Sequence, residues 1–257
     1  MSLFLQGWSA AAAGMLLLWL RQQRTRDAGI VDVGWAAGLG ALAILHAARS
    51  GGDPGRRALL AVLAALWSAR LAFYLGARVA GRPEDGRYRA LRERWGADAG
   101  RNFLLVFQAN ALLDALFSIP YLVVCADPRP LGPRDAAAAA LWLVAVGGES
   151  LADRQLARFR ADPARRGRTC RDGLWRYSRH PNYFFEWLQW WTYVLMAPAA
   201  LAGAPALLGP ALMLLFLYKV TGIPATEAQA LKSRPDYAEY QRVTSPFIPW
   251  RPNEDRH

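Results

Sequence analysis

Residues 187–218 contain no charged side chain. A helix needs about 20 apolar residues to cross a hydrocarbon core. This stretch is therefore long enough for two crossings, with the turn formers Pro198, Gly203 and Pro205 between them. Three other stretches repeat the pattern: residues 1–20 hold no charge, 28–48 only Asp32 and His46, and 103–126 only Asp114. Soluble helices are seldom apolar all round at such lengths. Overall composition hides this, since 54% of residues are hydrophobic while mean hydropathy is only +0.06. The fold class that follows is all-α, an integral membrane bundle. Seven spans are predicted, at about 3–20, 28–48, 58–80, 103–125, 136–153, 183–199 and 204–222.

The net charge of +11 invites a nucleic-acid partner, but membrane topology accounts for it more simply. With these spans, Lys and Arg alternate between the two sides, 23 against 5, and cytoplasmic loops are the ones that collect them. The N-terminus is then outside and the C-terminus cytoplasmic. The chain reads as a single membrane domain, residues 1–257, with cytosolic loops at about 81–102, 154–182 and 223–257. The expected partner is the lipid bilayer, with no nucleic acid and no obligate protein partner. The first segment lacks the basic start of a signal peptide and reads as a retained helix. Cys125 and Cys170 fall on opposite sides, and the histidines His46, His180 and His257 show no metal-ligand spacing.

Loop 81–102 starts as a Gly/Pro turn, and its second part, Arg89 to Trp95, reads as a short basic surface helix facing anionic lipid. In the tail, aromatic residues recur every three or four positions up to Trp250, as expected of a segment that folds back. Ionisable groups inside spans usually face a cavity, a partner or a site; here they are Asp32, Arg70, Asp114, Glu149, Asp153, Glu186 and Lys219. Asp32 and Trp35 share one helix face, as do Trp67, Arg70 and Tyr74. An Asp32–Arg70 pair with aromatic walls would frame a cavity for a flat apolar ligand.

The densest polar motif runs from Gly173 through Leu174-Trp175-Arg176-Tyr177-Ser178-Arg179-His180-Pro181-Asn182-Tyr183-Phe184-Phe185 to Glu186, and leads straight into an apolar span. Just before it, Glu149, Asp153 and Arg160 share a helix face. Arg165, Arg166, Arg168, Arg171, Arg176 and Arg179 follow. Arginine binds phosphate oxygens through a planar fork. The interleaved Tyr177, Ser178, His180, Asn182 and Tyr183 offer directional hydrogen bonds to ribose hydroxyls and a carboxamide. Pro181 biases His180 away from helix, and Glu186 suits the start of the next helix.

At these residues the chain resembles the steroid 5-alpha-reductase family of membrane enzymes, and more closely a bacterial branch of it. The resemblance rests on Gly173 to Tyr183, on Glu186 and on the tail Phe247-Ile248-Pro249-Trp250. Asp32-Val33-Gly34-Trp35 and the Gly81 to Tyr88 loop add to it. It implies a seven-helix reductase in a bacterial inner membrane, with an NADPH site facing the cytoplasm. Hydride would pass to the β-carbon of a conjugated enone in a lipid or steroid-like substrate while an acid hydrogen-bonds the carbonyl. By the same resemblance, Asp153, Arg160, Arg179, Asn182 and Glu186 are nucleotide contacts. Arg70, Lys219 and Glu227 approach the cofactor, joined by Arg168 from the arginine cluster. The family's Gln-Glu pair is missing, and Asp32 and Trp35 occupy that region. Trp67 stands in place of its tyrosine, with Tyr74 two turns on, so Asp32, Trp35 and Tyr74 are the catalytic candidates. Phe185 replaces a glycine and crowds the start of its helix.

A membrane methyltransferase using S-adenosylmethionine, of the isoprenylcysteine carboxyl methyltransferase type, shares an Arg-His-Pro-x-Tyr pattern before a span and an aromatic tail. Its cofactor has no phosphate and needs no arginine cluster, so the arginines favour NADPH. A lipid-binding scaffold would account for the spans but not for the interleaved polar motif.

Overall fold

The computed structural model describes residues 2–199, 201–220 and 222–253, so the last residues of the expected tail, 254–257, lie outside the described part. Among the described residues there is no strand. The described residues form eleven α-helices: α1 (Leu3–Thr25), α2 (Ile30–Arg49), α3 (Pro54–Val79), α4 (Gly86–Trp95), α5 (Ala99–Phe117), α6 (Ile119–Cys125), α7 (Pro133–Ala161), α8 (Pro181–Met196), α9 (Leu208–Leu215), α10 (Ile223–Ser233) and α11 (Tyr237–Val243). A π-helical turn, Phe216–Val220, follows α9.

Six helical segments among the described residues are long and apolar enough to cross a membrane: Leu3–Thr25, Ile30–Arg49, Pro54–Val79, Gly86–Cys125, Pro133–Ala161 and Gly203–Ser233. The protein is an integral membrane protein. Phe73, Leu17, Leu143 and Leu105 stand exposed on these helices, Phe73 by 80%, as lipid-facing side chains do. Of the seven spans expected, 183–199 corresponds to α8. With 16 residues it rises about 24 Å and is the short one.

Local chemistry sets the helix boundaries. The Asp53 carboxylate accepts from the Arg56 N–H at 2.8 Å, with Pro54 in the first turn of α3, and Asp85 caps α4 by accepting from the Arg87 N–H at 2.9 Å. The expected span at 103–125 is two helices. Pro120 has no N–H to offer the Leu116 carbonyl, and α5 ends at Phe117 before α6 restarts at Ile119.

The chain forms two compact units. The first comprises Met1–Asp135 and Met196–Gly209, the second Ala136–Leu195 and Pro210–His257. In the first unit, α2 lies against α3 and α1 against α5. Gln108 donates to the Ala12 carbonyl at 3.2 Å, and Trp19 to the Gly100 carbonyl at 2.9 Å. Ser68 on α3 accepts from the Gly40 N–H at 3.0 Å and donates to the Ala36 carbonyl, both on α2.

At the start of α3, Arg56 is clamped by two buried carboxylates. Its Nε and Nη2 reach Asp135 at 2.9 and 2.8 Å, and its Nη1 pairs with Asp127. On helix α4, Arg89 and Arg94 are exposed, as a surface helix requires, but Arg92 is drawn inward. Arg92 binds Glu84 at 2.7 Å and lies 4.7 Å from the Phe103 ring centre, while Arg87 and Tyr88 turn to Asp32. Carboxylates on neighbouring segments satisfy two of its cations.

Candidate functional site

The second unit is built around the polar end of α8. The last turns of α7 form its floor. Gln155 accepts from the Leu174 N–H at 2.9 Å, and Trp175 donates its indole N–H to the Ala152 carbonyl at 3.0 Å. The Gln155 amide sits where a side chain on Gly173 would be, and Gly173 has φ +58°, a conformation glycine adopts without penalty. The 3-10 turn Gly173–Arg176 is thereby laid on α7.

The tail then closes over this turn. Ser178, fully buried, donates to the Phe247 carbonyl at 2.8 Å and accepts from the His180 N–H at 3.1 Å. The Arg179 N–H reaches the Ser245 carbonyl at 2.8 Å, and the Trp250 N–H the Tyr177 carbonyl at 2.9 Å. Tyr240 donates its hydroxyl to the Ser178 carbonyl at 3.1 Å and to that of Trp175. The fold-back expected of the tail is present. Asp236, which accepts from the hydroxyl of Thr169 at 2.7 Å and its N–H at 3.0 Å, anchors the start of α11. Burial alone would raise the Asp236 carboxyl, but these Thr169 hydrogen bonds more than offset it and hold the group below the usual carboxylate range.

Glu227 on α10 is the hub. Arg179 Nε donates to it at 2.7 Å, Gln241 Nε2 at 2.7 Å and the Tyr237 hydroxyl at 3.3 Å, and His180 Nε2 lies at 3.2 Å. Arg179 Nη1 also serves the carbonyls of Gln241 and Thr244, at 2.7 and 2.8 Å. The Arg179 fork is thus taken up inside the unit, unlike the open phosphate-binding fork expected. The His180 ring stacks on Tyr183, with centres 5.2 Å apart and planes 6° from parallel.

Other expected contacts also meet. The Asn182 amide donates to Asp153 at 3.3 Å, and Asp153 and Glu149 are both buried on α7. Glu186 lies one turn beyond Asn182 on α8. Arg160, Arg168 and Lys219 are exposed, as are Arg154, Arg158, Arg166 and Arg176. Tyr177, Pro249, Trp250 and Arg251 line an open cavity of about 490 Å³. Phe185 is accommodated by Gly148 of α7, where an added Cβ would lie 2.5 Å from its ring. Gly148→Ala is expected to destabilise the protein by about 1–3 kcal/mol through overpacking. Adding Phe185→Leu is expected to restore most of that in a thermal melt.

In the first unit, Asp32 is paired with neither Arg70 nor a free cavity. Its carboxylate accepts from the Tyr88 hydroxyl at 2.7 Å and from Arg87 at 3.2 Å. The reason is proximity: loop 80–85 returns α4 to the N-terminal end of α2. Arg70 and Tyr74 stand a turn apart on α3, and Trp35 meets Trp67 at 6.4 Å and Phe117 at 6.0 Å between ring centres. The aromatic walls expected around Trp35 and Trp67 are present. Sequence reasoning missed Tyr88, Gln155, Tyr237 and Gln241. The i, i+4 spacing of Tyr237 and Gln241 on α11 was the one available signal.

A family model matches residues 18–244, and its description is Protein of unknown function (DUF1295). The chain belongs to this family. No curated protein and no solved structure matches the chain significantly. The family match takes in both units, the motif from Gly173 to Glu186 and Glu227.

Proposed function

We propose that this DUF1295 protein is an NADPH-dependent membrane reductase of a carbon–carbon double bond, in an enone of lipid or steroid-like character. The observation that carries the reading is the Asp153–Asn182 pair, set at the polar end of an apolar helix in a unit rich in exposed arginines. The donor set suits a phosphorylated dinucleotide. Asp153 accepts from ribose hydroxyls, Asn182 pairs with a carboxamide, and Arg160 and Arg168 with their exposed neighbours bind phosphates. When bound, NADPH supplies the hydride. The chain's own part is to neutralise the phosphates, orient the carboxamide and exclude water along the apolar face of α8. Arg179, His180 and Glu227 serve by holding the tail against the start of α8. The 23-to-5 Lys and Arg asymmetry supports seven spans with this end cytoplasmic, in a bacterial inner membrane. Asp32, whose oxygens already have partners, is a weaker candidate for the acid that grips the substrate than Tyr74.

One observation favours a second reading. Glu149 and Asp153 are two buried carboxylates on one face, and such a pair also suits the sulfonium of S-adenosylmethionine in a methyltransferase.

Thermal melts of the purified full chain separate the two. NADPH at about a hundred times its Kd is expected to stabilise by about 2.7 kcal/mol, NADH by less and S-adenosylmethionine not at all. Arg160→Ala with Arg168→Ala is expected to remove most of the difference between NADPH and NADH. Stabilisation by S-adenosylmethionine alone would end the reductase reading in favour of the methyltransferase.

A further inference from the structure

Trp250 is 74% exposed, and its indole has no hydrogen bond or ring contact among the described residues. The backbone that carries it is nevertheless fixed. The Trp250 N–H is bonded to the Tyr177 carbonyl at 2.9 Å, and the Asn253 N–H to the Val243 carbonyl at 2.9 Å. Three residues earlier, Phe247 is buried among the rings of Phe184, Trp187 and Tyr218, with centres 5.8, 5.7 and 5.3 Å away. Ile248, the next residue, turns outward and is 58% exposed. A tail anchored in this way holds two large apolar side chains away from the protein. Left in water they forgo the burial they could gain, and exposed apolar surface on a fixed backbone marks a place where something else packs.

The open cavity lies beside this ring. Its lining is Tyr177, Pro249, Trp250 and Arg251, and its volume of about 490 Å³ is within the range of small-molecule sites, about 300–1,000 Å³. Arg251 is exposed and has no ion-pair partner among the described residues. Tyr and Trp gather at the depth of lipid headgroups, where one end of the ring is in hydrocarbon and the other is wet, and a guanidinium there meets phosphate. The position along the chain agrees. Tyr177 stands four residues before the start of α8. As a span, α8 rises only about 24 Å, less than the hydrocarbon core of about 30 Å. Groups just before its start are therefore drawn to headgroup depth. A soluble anion would engage Arg251 and leave Trp250 and Ile248 in water. A purely apolar partner would leave Arg251 uncompensated. An anionic lipid uses both.

We propose that this cavity is the headgroup site of an anionic phospholipid from the adjoining leaflet, with Arg251 on its phosphate, Tyr177 and Trp250 flanking its glycerol region and Ile248 against its acyl chains. A bound lipid holds residues 247–253 down, and with them the Trp250–Tyr177 hydrogen bond that closes the tail over the motif from Gly173 to Glu186. The site lies wholly in the second unit. No nucleotide enters its test, so it stands or falls separately from the reductase reading.

The test uses the full chain in detergent micelles, titrated with a phosphatidylglycerol or a phosphatidylcholine brominated on the acyl chain near the headgroup. Bromine quenches indole fluorescence on contact, so the quenching lost in Trp250→Phe is the share that belongs to this ring. That share is expected to reach half its maximum at about fivefold less phosphatidylglycerol than phosphatidylcholine, the effect of one cation at an anionic lipid surface. Arg251→Gln, a change at an exposed position, is expected to fold, to keep the quenching and to lose the preference; its share is read against the variant that also carries Trp250→Phe. In nanodiscs, phosphatidylglycerol is expected to slow amide exchange across residues 247–253 relative to phosphatidylcholine, in wild-type protein and not in Arg251→Gln. Absence of any Trp250-dependent quenching, equal midpoints for the two lipids in wild-type protein, or a preference that survives in Arg251→Gln would each overturn the assignment. So would equal slowing by glycerol 3-phosphate added to phosphatidylcholine nanodiscs, which would make this a site for a free anion.

Discussion

Arg56→Ala is expected to lower the stability of the first unit by about 3–5 kcal/mol, the range for removing one partner of a buried ion pair. Asp127 and Asp135 are both buried around this guanidinium, which also donates to the Pro130 carbonyl at 3.2 Å. Alanine leaves the two carboxylates facing one another, with only the exposed Arg129 on Asp127 at 2.6 Å. The same residues tie the start of α3 to loop 126–132, where the Asp53 N–H also reaches the Asp127 carbonyl at 2.9 Å. The triple variant Arg56→Met, Asp127→Asn, Asp135→Asn is expected to recover most of the loss in a thermal or denaturant melt, because it removes the stranded charges along with their partner. Failure of that recovery would show that Arg56 acts through packing of its stem instead. The pH dependence has a definite sign. Hydrogen bonding from Arg129, and then the charge of Arg56, hold the Asp127 carboxyl below its ordinary value of 3.8. The Asp127 contribution is therefore fully present above that value and is lost as pH falls below it. A melting temperature that stays flat on acidification below that value would contradict the clamp.

The second large effect is expected from Glu227→Ala. This carboxylate takes hydrogen bonds from Arg179, Tyr237 and Gln241, and its side chain is only 13% exposed. Removing it strands the Arg179 guanidinium, itself 11% exposed, at a cost of about 3 kcal/mol. The loss falls on one place. Amide hydrogen exchange is expected to speed up across residues 237–253 and 173–180, while α1, α2 and α5 stay protected. Glu227→Gln, which keeps one acceptor oxygen but loses the charge, is expected to show a smaller effect. Arg179→Lys is expected to resemble Glu227→Ala more than a conservative change, because an ammonium cannot reach Glu227 and the carbonyls of Gln241 and Thr244 together. Uniform exchange across the whole chain would mean that the tail is held elsewhere.

These two clusters mark the limit of what is legible in the chain. Apolar runs bounded by Gly, Pro and N-capping Asp define helices by themselves, because chain stiffness, backbone hydrogen bonding and the length of a membrane crossing act locally. The all-helical class, six of the segments and the docking of the aromatic tail follow from that local information. The break at Ser118 was readable as well, in Pro120. The partners of charged side chains were not. Arg92 read as a lipid-facing cation and Asp32 as the partner of Arg70, yet Glu84 binds Arg92, and Asp32 binds Arg87 and Tyr88.

The sequence by itself determined where the chain becomes helical and which helices belong in lipid, since those depend on side chains a few positions apart. Tertiary structure alone decided that Arg179 is bound internally by Glu227 and that Asp114 faces a glycine with no partner. The physical reason is that the fate of a buried charge depends on which groups from distant segments come within about 3 Å of it. Spacing along a single helix cannot supply that.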